Sequence, residues 1–325
     1  AALLLVSSCL LTGCTTSSAK KVDSKYVVAS LEKGNKTKNI FADNLYKDII
    51  DNSSNNSTVF NAVLQNLVDQ KFPVNDDMKE DAATIIKQIK SAYKSNYGDN
   101  YKDSLNQALT SAGYKNLSEY RQKMIKQIQY ANFLLDYIDD HFDDVFNDYY
   151  QQCAPKYVSL IKISVSDTSS PTDDETSKLN EVKELISNTD KSFGDIAQDY
   201  SNDSTSSKKG SLGIVDSKDT SGIANSYGKD VFNAIEALSE GQVSDVITGD
   251  DGYYFVKVTS TDKKTLKKEL KKTDIDSPLL AYDDYLQYVV YNSYKINYKD
   301  KDIKKIVQEV VNKALEERKT ERGEA

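Results

Sequence analysis

An α+β fold is what this 325-residue chain predicts, with a small α/β segment inserted between two helical stretches. Three observations lead there. Apolar residues recur at helical spacing on both flanks, and two runs rich in β-branched residues bracket the middle. The last amphipathic stripe also needs a partner, and the first helical stretch is the nearest candidate. The length alone suggests about two domains.

The helical stretch over 37–153 is carried by Val59, Phe60, Val63, Leu64, Leu67 and Val68, then by Ile85, Ile86, Ile89, Ala92 and Tyr93. Met124, Ile125, Ile128, Ala131, Leu134, Leu135 and Ile138 repeat the period, and Asn116 with Glu119 marks a helix start after Gly113. Pro155 opens the segment 154–261. Within it, 157–165 and 252–258 read as strands, 180–186, 193–200 and 231–238 as helices, and 201–213 as a polar loop. The last segment, 262–325, starts with a lysine run at 263–272 that reads as a solvated face. Two helices follow, the second marked by Ile303, Ile306, Val307, Val310, Val311 and Leu315, and a charged tail from Glu316 is expected to fray.

Composition removes several function classes. Lys plus Arg number 42 against 50 Asp plus Glu, a net charge of −8, which gives no electrostatic reason to bind nucleic acid. One histidine excludes a multi-histidine metal site. His141 lies among Asp139, Asp140, Asp143 and Asp144, and such a run reads as a solvated helix junction; no metal or cofactor is expected. Cys153 reads as a structural thiol.

The first residues place the protein. Residues 1–13 are apolar and too short to span a bilayer, and they read as a signal-peptide remnant. Leu11-Thr12-Gly13-Cys14 resembles a bacterial lipobox, which implies cleavage before Cys14, a diacylglycerol on its sulfur and a flexible lipidated tether over 14–36. The expected location is the extracytoplasmic face of a cell membrane.

Four motifs in the middle segment occur in order. They are Phe193-Gly194-Asp195-Ile196-Ala197-Gln198-Asp199-Tyr200-Ser201-Asn202-Asp203, Gly210-Ser211-Leu212-Gly213, Leu238-Ser239-Glu240-Gly241-Gln242-Val243-Ser244 and Gly252-Tyr253-Tyr254-Phe255-Val256-Lys257-Val258. With the lipobox and the flanking helices, this order resembles the PrsA-like foldase lipoproteins, extracytoplasmic folding factors with a parvulin-type peptidyl-prolyl cis-trans isomerase domain. The resemblance implies a helical chaperone domain built from 37–153 and 262–325, and a parvulin-like (FKBP-like α/β) domain over 154–261. It implies unfolded or newly translocated secreted proteins as partners, and helical arms that offer a surface for a homodimer. Asp203 matches the family's Cys-or-Asp position. The two family histidines fall on Lys162 and Tyr254, and a pocket Thr falls on Gly249. Asp203, Lys162 and Tyr254 are therefore the candidate catalytic set, with Leu212, Val231, Phe232 and Phe255 as candidate peptide-binding residues. Without imidazoles the domain reads either as a weakened isomerase or as a non-catalytic holdase. A solute-binding lipoprotein is the reading from another class, disfavoured because only one small α/β insert is present.

Overall fold

The computed structural model describes residues 21–33, 36–188, 190–271 and 274–324. The signal-peptide remnant, Cys14 and the first residues of the expected tether lie outside them. In chain order come three strands, β1 (Lys21–Val22), β2 (Lys25–Lys33) and β3 (Lys36–Phe41). Six helices follow: α1 (Ala42–Ile50), α2 (Asn56–Lys71), α3 (Asp76–Tyr97), α4 (Tyr101–Ser111), α5 (Leu117–Asp140) and α6 (Phe142–Cys153). Next are β4 (Lys156–Ser164), α7 (Asp173–Asn188), α8 (Phe193–Tyr200) and β5 (Ser211–Val215). The order closes with α9 (Ile223–Tyr227), α10 (Lys229–Ala237), β6 (Ile247–Gly249), β7 (Gly252–Ser260), α11 (Lys263–Leu270), α12 (Leu286–Ser293) and α13 (Lys301–Glu321).

The described residues divide into two compact units, one within 135–284 and one joining those of 21–134 to those of 285–324. The second is the helical unit, built from both flanks of the chain. Phe60 of α2 stacks on Tyr288 of α12 at 5.0 Å and meets Tyr291 edge-on at 5.1 Å, while Phe133 stacks on Tyr294 at 5.6 Å. These rings close the stripe that the last helices present. Asn116 accepts from the backbone N–H of Glu119 at 2.9 Å, and the Glu119 carboxylate reaches back to the N–H of Lys115 at 2.7 Å, a box that fixes the start of α5. Helix α13 runs to Glu321, past the expected fraying point. Pairs such as Lys313–Glu317 (3.8 Å) and Lys319–Glu316 (2.9 Å) sit at the spacing that supports a charged helix end.

Strands β1, β2 and β3 form an antiparallel sheet, the first two inside the stretch expected to be tether and the third at the start of the stretch expected to be helical. The lysine-rich composition hides an alternation: Val22, Val27 and Phe41 are half-buried while Tyr26 and Ile40 are exposed.

The inserted unit extends beyond 154–261. Tyr149 of α6 meets Tyr282 edge-on at 5.3 Å, and the Tyr149 hydroxyl donates to the fully buried Asp216 at 2.8 Å. Its four-stranded sheet has the order β5-β4-β7-β6 and is antiparallel throughout. Two side-chain sets alternate along β4 and β7. Ile161, Ile163 and Phe255 face Leu179, Val182, Phe193 and Ile196 of α7 and α8. Val158, Leu160, Tyr254 and Val256 face Ile223, Val231 and Ile235 of α9 and α10. Strands β5 and β6 are absent from the pattern in sequence because one lies in a polar loop and the other is three residues long. Lys156 fixes the end of α10, its ammonium donating to the carbonyls of Ile235 (2.9 Å), Glu236 (2.6 Å) and Leu238 (3.1 Å). Gly210 is required where it stands. Its φ is +75°, and a Cβ would lie 2.4 Å from the carbonyl oxygen of Leu160, to whose N–H Gly210 offers its own carbonyl at 2.8 Å.

Candidate functional site

The site forms where β4 and β7 emerge past the end of β5. Lys162 and Tyr254 are cross-strand partners in the β4–β7 register, so their side chains share one face. Beyond β5 the free edge of β4 is completed by the loop after α8. Asn202 donates its N–H to the Lys162 carbonyl at 2.8 Å, the Ser201 hydroxyl accepts from the Lys162 N–H at 3.0 Å, and the Asn202 side chain accepts from the Ser164 N–H at 3.1 Å. Ser201 also accepts from the N–H of Asp203 at 3.2 Å. The Ser-Asn-Asp run thus acts as a short substitute strand along the free edge of β4, with Asp203 at its end.

The expected set is joined by two residues that the sequence reading missed, Asp251 and Tyr227. Asp251, just before β7, accepts from the Lys162 ammonium on one oxygen and from the Tyr254 hydroxyl on the other. The Lys162 side chain is 17% exposed and that of Asp251 is 64% exposed, so the ion pair lies at the rim. The Lys162 ammonium also stands 5.6 Å from the centre of the Tyr254 ring. Its hydrogen bond, followed by that from Tyr254, holds the Asp251 carboxyl below the usual aspartate range. Burial first, then the hydrogen bond and charge of Asp251, pushes the Tyr254 hydroxyl upward; Asp203 and Tyr227 add to the shift. Tyr227, the last residue of α9, meets the Tyr254 ring edge-on at 6.2 Å. Burial, then the charge of Asp203 and hydrogen bonding to it, pushes the Tyr227 hydroxyl up to about 12. Asp203 itself accepts from the N–H and hydroxyl of Thr205 at 2.9 and 2.6 Å. Lys162, Asp251, Tyr254, Tyr227 and Asp203 make one connected polar cluster. The signal for Asp251 was its place beside the strand's Gly252; for Tyr227 no motif pointed to it.

Gly249 explains a paired departure from the family pattern. A Cβ there would lie 2.6 Å from Cε2 of Tyr254. The phenol in the histidine position occupies the space that a threonine in the pocket position would need, so the two replacements are sterically linked.

The apolar candidates divide. Leu212 and Phe232 are half-buried on the Tyr254 face, together with Tyr227 and Ile247. Val231 lies on that face at 1% exposure, inside the core, whereas its neighbour Phe232 reaches the surface. Phe255 is a correction: strand alternation turns it to the opposite face, against Phe193, Ile196 and Val182. Cys14 lies outside the described residues. Among the described residues no three His, Cys, Asp or Glu side chains form a group that would hold a metal ion.

Chemically, the cluster is already occupied with itself. The hydroxyls of Tyr254 and Thr205 donate to Asp251 and Asp203, and one Lys162 proton is directed at Asp251. Twisting an X-Pro amide breaks its conjugation against a barrier of about 18–20 kcal/mol, and a catalyst lowers it by holding the ring in an apolar groove and offering polar groups to the twisted amide. This face has the apolar strip; its donors are committed to carboxylates.

Residues 160–260 match the Rotamase family, the PPIC-type PPIase domain. The chain is 32% identical over 141 residues to the foldase protein PrsA of Staphylococcus aureus, and equally to that of Staphylococcus epidermidis, covering 41% of this chain and 41% of each relative. The chain thus matches about two fifths of the length of these relatives. It is also similar to the crystal structure of PrsA from Bacillus subtilis (21% identity, 87% of this chain and 98% of that one, TM-score 0.39). For the Streptococcus pneumoniae foldase the values are 19%, 86%, 99% and 0.39. Residues 160–260 thus match a PPIC-type rotamase domain, and 141 residues of the chain are similar to PrsA foldases.

Proposed function

We propose that this protein is a membrane-anchored extracytoplasmic folding factor that holds proline-containing segments of unfolded, newly translocated proteins, with slow isomerase turnover. The observation that carries the reading is the half-buried strip of Leu212, Phe232 and Ile247 beside the Asp203–Tyr227–Tyr254–Asp251–Lys162 cluster on one sheet face. The strip suits a proline ring. The cluster supplies a polar rim but few donors not already engaged, which favours binding over acceleration. An apolar cleft of about 450 Å³ in the helical unit, lined by Tyr46, Ile49, Val63, Leu67, Ile296 and Ile303 among others, supports the holding of unfolded chain. The anchor is read from Leu11-Thr12-Gly13-Cys14; no described helix is long and apolar enough to cross a membrane.

A protease-coupled proline-peptide assay, run beside aggregation suppression on the same sample, tests this. We expect suppression near stoichiometric ratios and turnover lower than that of imidazole-bearing relatives by about 10²-fold, the typical cost of losing one polarising donor. Turnover at the relatives' level, abolished by Asp203→Ala, would overturn the slow-turnover reading. The holdase reading, with no turnover at all, is favoured by the Lys162–Asp251 ion pair, and a rate indistinguishable from the uncatalysed one would select it.

A further inference from the structure

The three-stranded sheet β1–β2–β3 takes no part in the proline-binding face, yet its pairing sorts its side chains. Lys21 opposes Tyr26, and Ala29 opposes Ile40. A register shift between Val27 and Ala29 sends Val27 to the other face, opposite Phe41. On that second face Val22, Val27 and Phe41 are half-buried, and Lys25 stands 5.9 Å from the Phe41 ring and 3.4 Å from the Asp43 carboxylate of α1. The first face is open. Tyr26 and Ile40 are 45% and 44% exposed, the Lys21 ammonium lies 4.6 Å over the Tyr26 ring, and Lys38 is exposed two residues from Ile40. Among the described residues, six of the seven strongly exposed large apolar side chains fall between Tyr26 and Ile49. Residues 21–41 carry five lysines and two acids in a chain of net charge −8.

We propose that this open face lies on an anionic lipid bilayer, with Lys21 and Lys38 against phosphate headgroups and Tyr26 and Ile40 at the boundary between headgroups and acyl chains. Lysine beside an exposed tyrosine and isoleucine is the composition of an interfacial surface, and the local positive charge runs against the charge of the whole chain. The proposal rests on the membrane reading above: seven residues lead from Cys14 to Lys21, a reach of at most about 25 Å, so a lipid on Cys14 keeps this sheet beside the bilayer.

The test uses a chain starting at residue 15, which keeps every described residue and carries no lipid. It is sedimented with vesicles of phosphatidylcholine alone and of phosphatidylcholine with phosphatidylglycerol. The expected result is binding to the anionic vesicles only, reversed by salt. Lys21→Glu with Lys38→Glu should weaken it roughly tenfold or more, and Tyr26→Ser with Ile40→Ser severalfold, with the proline-peptide affinity of both variants unchanged as the check on folding. Binding to neither vesicle, equal binding to both, or affinity unmoved by either pair of substitutions would overturn it. Lipid labelling at Cys14 of the full chain, produced in cells, separates the two readings. Vesicle binding without labelling keeps the sheet face and removes the anchor; labelling without vesicle binding removes the sheet face alone.

Discussion

The two faces of the β5-β4-β7-β6 sheet are made from the same strands, yet they are finished differently. On one, Ile161, Ile163 and Phe255 are sealed by α7 and α8, with Phe193 and Ile196 buried among them. On the other, Val158, Leu160 and Val256 are equally buried. Half-buried apolar residues edge both faces, among them Tyr200, Val243 and Tyr253 on the first and Leu212, Tyr227, Phe232 and Ile247 on the second. What sets the second apart is the polar cluster that Lys162 and Tyr254 carry at its rim. We propose that this polar rim leaves the second face open to a ligand while its core remains dry. The comparison extends to two tyrosine–aspartate pairs. Tyr149–Asp216 is buried and also ties down Thr220, whereas in Tyr254–Asp251 the carboxylate is largely in solvent and shared with a lysine. The first has the setting of a structural tie, the second that of a site.

Truncating the sealed face should have the largest effect. Phe255→Ala is expected to cost about 3–5 kcal/mol in urea unfolding, since it empties a closed core. Phe232→Ala on the open face should cost only about 1 kcal/mol while abolishing proline-peptide binding. Equal costs would erase the distinction between the faces.

Next comes the steric link at the open face. Gly249→Thr alone should destabilise by about 1–3 kcal/mol through overlap with Tyr254, and Tyr254→His should remove most of that penalty. A double-mutant cycle is expected to give a coupling of about 1–2 kcal/mol; simple additivity would refute the link. Adding Lys162→His to the pair rebuilds both imidazoles, and turnover in the proline-peptide assay should rise.

The pH response is smaller and has a defined sign. The Asp251 carboxyl is lowered in the folded state, so its contribution is present above the unfolded aspartate pKa and is lost as pH falls through the folded value. The carboxylate is mostly exposed, so Asp251→Asn should change stability near neutrality by less than about 1 kcal/mol and flatten the acid limb. The Tyr227 hydroxyl, raised to about 12, contributes below pH of about 10 and loses that contribution as pH rises through the folded value. Peptide affinity should be level between about pH 5 and 9 because the site holds no imidazole; a bend near 6.5 would be the signature of one.

Much of this was legible in the residues. Helical periodicity located α2, α3, α5 and α13, and Phe193–Tyr200 is a helix over the very span read from sequence. The register that brings Lys162 opposite Tyr254 follows from two strands whose motifs were recognisable. Elements set by tertiary context were not legible. β5 and β6 are short and exist because β4 and β7 offer edges, and the strands at 21–41 are masked by lysines. Asp251 and Tyr227 join the site through the β6–β7 turn and the end of α9, neither of which has a local signature of contact. Phe255 was misplaced because a one-residue step along a strand reverses the face.

We propose that proline segments bind the open face and leave the sealed one untouched. Nuclear magnetic resonance of the methyl and aromatic groups of the full chain, titrated with an alanyl-proline peptide, tests it most directly. Saturable shifts are expected at Leu212, Phe232, Ile247, Tyr227 and Tyr254, and none at Ile161, Ile163 or Phe255. Shifts centred on α7 and α8, or no saturable shift at all, would contradict it.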